Sequence, residues 1–364
     1  MTDYQEALQS PALAFTSAEL RYGAPVENKL GLPRPICGTF ASVYELVNGR
    51  RRWAVKCFLR NTPNLHERYA KISDHLRKYR RLGYFVTFEY QDKAIRVRGE
   101  LFPLVKMEWV EGCQLNTFIE QNLSHPRVLA KLRKRWDRLV ADLRSAHIAH
   151  GDLQHGNVLV LPNGEIRLID YDGMWVPKLE GEQSNETGHQ DYQNPGRTQR
   201  DFHFGIDEFS AAVIRIAISA LRRDQSLWEK YNNGDNLLFR RRDFVDPQSS
   251  LLIADLRAMD DHEIREKLDF VVNACISAKR ASRRRARRGK AAGKKQGVVE
   301  TRSSAEGPRK ADARASMPAS WLGDHVEDYG TTPQASPRSS GRRALAQRDS
   351  IGLLEKVTRW LLRP

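Results

Sequence analysis

Residues 150–173 read HGDLQHGNVLVLPNGEIRLIDYDG and constrain the fold more than any other stretch of the chain. Asp152 is followed five residues later by Asn157. Two apolar, strand-like runs then flank the turn signal Pro162-Asn163-Gly164. The second run, Ile166-Arg167-Leu168-Ile169, delivers another acid, Asp170, with Gly173 three residues on. A hairpin fixes these polar groups in register. One acid to orient a hydroxyl, with an acid and an amide oxygen to hold Mg²⁺, is the set that phosphoryl transfer needs. The competing reading is a surface hairpin with incidental acids.

Upstream, Arg51-Arg52-Trp53-Ala54-Val55-Lys56-Cys57-Phe58 alternates like a strand and ends near a lysine. Before it lies Ile36-Cys37-Gly38-Thr39-Phe40-Ala41-Ser42-Val43-Tyr44, where Gly38 lets backbone N–H groups approach a phosphate. Leu104-Val105-Lys106-Met107-Glu108-Trp109-Val110-Glu111-Gly112 reads as a strand ending at a glycine turn. Downstream, Asn194-Pro195 closes a polar stretch, and an apolar helix opens with Ile206-Asp207-Glu208. In this order the segments resemble the motifs of the protein kinases over about residues 30–275.

That resemblance implies an α+β, bilobal protein-kinase-like fold. A lead-in (1–29) precedes an N-lobe with a small antiparallel sheet (30–110). A mainly helical C-lobe (111–276) follows, then a disordered basic tail. The implied cofactors are ATP and Mg²⁺. Lys56 is implied to hold the α- and β-phosphates, with Gly38, Val43 and Ala54 in the same ATP site. Met107 stands at the gatekeeper position, and backbone groups of Glu108 and Val110 would bond the adenine. Asp152 takes the catalytic position, orienting the substrate hydroxyl and accepting its proton. Asn157 and Asp170 take the metal positions. Asp207 would brace the catalytic loop; a plain helix N-cap is the alternative. A helix from Pro63 to about Leu82 would supply an acid to pair with Lys56. Glu67 is the candidate, with a solvated helix charge as the alternative.

The chain departs from the kinase pattern at several places. Gly151 replaces the arginine that reads a phosphate on the segment after Asp170. Activity is therefore expected not to depend on phosphorylation of that segment, whose candidate acceptors are Ser184 and Thr187. Gln154 replaces a lysine and His155 a proline, and Ile36 and Ala41 stand where glycines are usual. The metal-binding triplet reads Asp170-Tyr171-Asp172, with Gly173 one place late. Asp172 is expected to be a solvated turn residue, with a metal-facing acid as the alternative. The expected function is an ATP- and Mg²⁺-dependent Ser/Thr protein kinase of divergent bacterial type, acting on a protein substrate and on its own tail. A small-molecule phosphotransferase of the aminoglycoside-kinase type is one alternative, since H-G-D loops occur there. A pseudokinase that binds nucleotide as a scaffold is the other.

The net charge of +15 over 364 residues resembles a nucleic-acid signal until it is located. Residues 279–295 carry ten Lys and Arg and no acid, and residues 1–278 are nearly neutral. Residues 277–349 read as a disordered basic linker that could contact polyanions or an anionic membrane. Its candidate phosphoacceptors are Ser303, Ser304, Thr331, Thr332, Ser336, Ser339 and Ser340. Residues 350–364 read as an amphipathic helix able to dock on the domain, a partner or a membrane surface. The four cysteines form no C-x-x-C pair, so no metal framework or disulfide set is expected. The N-terminus lacks a signal pattern, and no apolar run is long enough to span a bilayer. A cytoplasmic location is expected, with peripheral membrane contact through the tail as the alternative.

Overall fold

Alternation of inward and outward side chains makes strands of the first lobe, and glycine-assisted turns at Gly49 and Gly99 fold them back on one another. The computed structural model describes residues 2–38, 40–60 and 64–296. Three short helices, α1 (Thr2–Ala7), α2 (Pro11–Ala14) and α3 (Ala18–Arg21), precede β1 (Ala24–Pro25) and β2 (Pro35–Cys37). β3 (Ala41–Asn48) and β4 (Arg51–Phe58) pair antiparallel with Val43 opposite Lys56. Their turn uses Gly49 at φ +60. Helix α4 (Leu65–Arg77) intervenes before β5 (Phe88–Val97) and β6 (Glu100–Glu108). Arg98 and Gly99 join that last pair with φ +49 and +89, the two left-handed residues a tight hairpin turn demands. The sheet order is β1-β3-β4-β6-β5, with β2 beside β3.

Helix α4 covers one face of the sheet. Its Tyr69, Ile72 and Leu76 are buried with Phe58, Val86 and Val105. The lead-in covers the other face: Tyr4, Leu8, Phe15 and Leu20 are buried against Tyr44, Leu46, Val55, Ile95 and Leu104. Each such side chain is worth roughly 1.5–3 kcal/mol of transfer free energy. The Tyr4 hydroxyl also donates to the Phe58 carbonyl at 2.9 Å. Residues 2–25 are thus an integral layer of the N-lobe.

The second lobe is mainly helical. A small sheet of β7 (Cys113–Gln114), β8 (Val158–Val160) and β9 (Ile166–Leu168) sits beside α5 (Leu115–Gln121) and α6 (Pro126–Ser145). The β8–β9 hairpin pairs Val158 with Leu168, and its turn uses Gly164 at φ +77. Helix α7 (Glu208–Arg223) runs through the core, and every residue from Phe209 to Leu221 is buried except Arg215. That arginine escapes the apolar interior by pairing with Asp137 at 2.7 Å. Trp136 of α6 is buried against α7, its indole N–H donating to the Ala211 carbonyl at 3.1 Å. Helices α8 (Ser226–Tyr231), α9 (Arg241–Val245) and α10 (Leu251–Ala258) complete the lobe.

Helix α11 (His262–Gln296) begins by burying Ile264, Leu268, Val271, Val272 and Cys275. Regular structure was expected to stop near 277, but the backbone stays helical through the basic run. Alanine, arginine and lysine are strong helix formers, and no proline interrupts them. The tail phosphoacceptors, the linker beyond 296 and the expected helix at 350–364 lie outside the described residues. Among the described residues no helix is long and apolar enough to cross a membrane. No disulfide joins any of the four cysteines, all of which lie among the described residues.

Among the described residues the first compact unit runs as far as Arg283. A chain ending there should melt cooperatively at the midpoint of the full-length protein, by circular dichroism or calorimetry. A lower midpoint or a broad transition would place residues beyond 283 in the fold.

Candidate active site

The local code of residues 150–170 places three polar groups around one loop. Asn157 donates through Nδ2 to the Asp152 carbonyl at 3.0 Å and to Asp152 Oδ2 at 2.9 Å. This assignment leaves the Asn157 amide oxygen for another partner. The Ile169 N–H donates to the Asn157 carbonyl at 3.0 Å, which brings the end of β9 alongside the loop. Asp170 follows with φ +66, an uncommon conformation for a non-glycine residue.

Asp207 stands at the start of α7, yet its side chain makes no capping bond there. Its two carboxylate oxygens instead accept from the His150 N–H at 2.5 Å and the Gly151 N–H at 2.8 Å. The carboxylate thus holds the loop backbone at 150–151 rather than capping α7. Gly151 itself has φ +81, and an added Cβ would collide with the Gly173 carbonyl group, 2.6 Å from its carbon. The backbone of the segment after Asp170 passes too close for any side chain at 151.

Lys56 on β4 reaches the same place from the other lobe. Its ammonium lies 2.5 Å from Asp170 Oδ1 and 2.6 Å from Asp172 Oδ2. Burial alone would pull the lysine pKa down, but the two carboxylates outweigh it and hold the ammonium well above its usual value. Asp170 is half-buried; loss of water around it disfavours its charge, and the neighbouring Lys56 nonetheless keeps its pKa low.

Two expectations are corrected here. Glu67 does not pair with Lys56. Its side chain is 65% exposed and bonds Lys71, four residues on, at 2.8 Å. Glu67 lies in the first turn of α4, and its face of the helix looks to solvent. The apolar face, which carries Tyr69, looks at the site. The Tyr69 hydroxyl donates to Asp172 Oδ1 in a short hydrogen bond. Asp172 is accordingly no solvated turn residue: its side chain is 12% exposed and serves as the second counter-ion of Lys56. The pair of Asp172 and Tyr69 occupies the place expected of an acid from α4.

The remaining positions sort by geometry. Gly38 closes the β2–β3 turn by donating to the Ala41 carbonyl at 2.9 Å. Val43 and Ala54 are half-buried on the paired strands β3 and β4. Met107 is buried opposite Ala54 on β6. The Glu108 N–H is taken by the Thr87 carbonyl at 3.1 Å, whereas the Val110 N–H has no partner among the described residues. Gln154 folds back so that its side-chain oxygen accepts from the Gly156 N–H at 2.8 Å. It caps its own turn rather than reaching outward.

Sequence reasoning missed the segment that lies over Asp152. The His189 N–H donates to Asp152 Oδ1 at 2.7 Å. Gly188, at φ +72, packs so closely that an added Cβ would stand 2.8 Å from the same oxygen. His155 bonds the Tyr192 hydroxyl at 2.7 Å. Burial and the nearby His189 push the His155 pKa down to about 4. Glu186 lies beside Gly173, and burial together with Asp170, Asp152 and Asp172 pushes its carboxyl up to about 9. Ser184 is buried and Thr187 exposed, so of the two expected acceptors only Thr187 is open to solvent. The glycines at 181 and 188 were the one available signal that this stretch turns tightly.

Among the described residues no group of three or more His, Cys, Asp or Glu is arranged as a ready metal site. Hard oxygen donors are nonetheless gathered: the free Asn157 amide oxygen, Asp170 and Asp172. Such a set suits Mg²⁺, which keeps several waters and takes few protein ligands.

The geometry makes a test of the corrected pairing. On the expectation of an ATP-dependent transferase, Glu67→Gln should leave turnover and the KM for ATP within about twofold, because exposed i, i+4 pairs contribute little. Asp172→Asn strips a counter-ion from a buried ammonium and should lower kcat/KM for ATP by more than about tenfold. Initial rates against ATP concentration decide between them. A tenfold loss in the Glu67 variant would return that residue to the site.

No family model matches the chain. It is distantly similar to the mitosis inhibitor protein kinase SWE1 of Saccharomyces cerevisiae, 20% identical over 62% of this chain and 30% of the relative. It is also similar to the serine/threonine-protein kinase PknA of Mycobacterium tuberculosis, 27% identical over 42% of this chain and 36% of the relative. The chain thus spans about a third of the length of these curated relatives. These similarities and the two-lobed architecture point to the protein-kinase-like superfamily.

Proposed function

We propose that the chain is an ATP- and Mg²⁺-dependent phosphotransferase that acts on Ser and Thr hydroxyls of proteins. The observation that carries this reading is the convergence of Lys56, Asp152, Asn157 and Asp170 on one site, with Asp207 bracing the loop between them. Lys56 would bind the α- and β-phosphates. Val43, Ala54 and Met107 would flank the adenine, and the Val110 N–H, which has no partner among the described residues, would bond it. Gly38 would let the β2–β3 turn approach the phosphates. Asn157 and Asp170 would hold Mg²⁺, with Asp172 close enough to assist. When bound, the ion neutralises charge on the phosphates. Asp152 would orient the acceptor hydroxyl and take its proton late in the transfer. Burial holds the Asp152 pKa above the usual carboxylate value, which suits a group that must accept a proton. Catalysis of this kind is mostly positioning and charge neutralisation, so a few well-held groups suffice.

The distant similarity to Ser/Thr protein kinases supports the same substrate class. A nucleotide-binding scaffold is the second reading. It is favoured by the His189 N–H on Asp152 Oδ1, which places the chain's own backbone where an acceptor hydroxyl would come. Incubation with γ-labelled ATP, alone and with candidate proteins, separates the two. Label on Ser or Thr mapped by mass spectrometry, absent with Asp152→Asn, supports the transferase. Nucleotide binding without transfer under all conditions supports the scaffold.

A further inference from the structure

Asp207 accepts the two N–H groups of the catalytic loop, but a loop is held only when its carbonyls are held as well. The Gly151 carbonyl is the next polar group along, immediately before Asp152. Arg197 reaches it from the end of the overlying segment: Nη1 donates to the Gly151 oxygen at 2.6 Å and to Gln193 Oε1 at 2.6 Å. The arginine is delivered by a tight turn. The Asn194 side chain accepts from the Gly196 N–H at 2.9 Å, and the Asn194 carbonyl accepts from the Arg197 N–H at 2.9 Å.

Two features argue that this arginine is there for more than packing. First, its Nε and Nη2 are buried without a hydrogen-bond partner among the described residues. Leaving guanidinium donors unmet is costly, and a site selected for stability alone would do better with hydrocarbon. Second, the acids that act on its charge are Asp207, Asp152, Glu186 and Asp201, and their attraction opposes the cost of burying it. Position 151 itself can carry no side chain, because the Gly173 backbone fills that space.

We infer that Arg197 is a positioning residue for Asp152: it clamps the Gly151 carbonyl, opposite the Asp207 brace, and ties the overlying segment to the catalytic loop without any phosphate. This rests on the phosphotransferase reading for its kinetic consequence but not for its structural one. The clamp is built into the chain as a permanent cation, so the loop is ordered whether or not Thr187 carries a phosphate.

The test uses the full chain with Arg197→Ala and Arg197→Lys. Amide hydrogen exchange should rise at residues 150–157 in Arg197→Ala and less in Arg197→Lys, with α6 and α7 unchanged. Turnover of Arg197→Ala should fall roughly 10²-fold, the scale of a small misplacement of a reacting group, while the KM for ATP stays within about twofold. Free guanidinium at millimolar concentration should restore part of that turnover in the alanine variant and none in Asp152→Asn. Exchange at 150–157 equal to wild type in both variants would overturn the inference, whatever the activity. So would a rise spread evenly over the C-lobe, or turnover lost only through the KM for ATP. If the alanine variant does not fold, the lysine variant decides by the same exchange measurement. Wild-type protein that transfers no phosphate would instead defeat the phosphotransferase reading, and the exchange result would still judge the clamp.

Discussion

Asp152→Asn should lower phosphoryl transfer by a factor of about 10² to 10⁴, the range lost when a positioned general base is removed. Nucleotide binding should be nearly unchanged. The reason is geometric. Asp152 is bonded by Asn157 Nδ2 on one oxygen and by the His189 N–H on the other, and neither bond involves Lys56. Asparagine has almost the same shape, so the loop keeps the Asp207 brace on the His150 and Gly151 N–H groups. One new conflict arises, since an amide NH₂ must face a donor on one side. That conflict costs stability locally and leaves the β4 lysine where it is. Turnover by labelled phosphate and ATP affinity by calorimetry should be measured on the same preparation. Wild-type turnover in the variant would remove Asp152 from the catalytic role. Equal loss of turnover and of affinity would make it a structural residue instead.

Gly151→Ala should be the most destabilising small substitution in the loop of residues 150–157. The residue has φ +81, which costs an L-residue on the order of 1–3 kcal/mol. The new methyl would also collide with the Gly173 carbonyl, and overpacking of this kind costs a further ~1–3 kcal/mol. Together these are a large fraction of a typical stability of about 5–15 kcal/mol. The midpoint of thermal unfolding should fall by roughly 5–15 °C. Gly49→Ala is the control: it also has positive φ, at +60, but nothing lies within 4 Å of an added Cβ. It should show only the backbone share of the loss. Equal melting of the two alanine variants would mean that the 151–173 approach relaxes without cost. The same reasoning predicts that arginine at 151, the residue usual in kinases, cannot be restored in this chain without moving the segment after Asp170.

Much of the site is legible before folding because it is local. Asp152, Asn157 and Asp170 are joined by a hairpin whose strands and turn are written in alternation and in Pro162-Asn163-Gly164. Pairing of Val158 with Leu168 then leaves little freedom in where those side chains go. The strand that carries Lys56 and the thirteen-residue apolar stretch of α7 are equally local signals. The i, i+3, i+7 spacing of Tyr69, Ile72 and Leu76 likewise marks the inward face of α4.

Periodicity does not say what that inward face meets. The partner of Lys56 depends on how α4 is rotated over the sheet, and the rotation is set by Phe58, Val86 and Val105 packing on Ile72 and Leu76. It turned Glu67 to solvent and brought Tyr69 to Asp172. The Arg197 contact with Gly151 spans 46 residues, and the His189 contact with Asp152 spans 37. Neither has a local signature, because a chain closes such loops only when tertiary packing offsets their entropy. Local patterns were enough to say which chemical groups the site contains and the order in which they arrive. Which of them touch came only with folding, because contacts between distant segments follow from the packing angles of whole helices and strands rather than from the residues beside them.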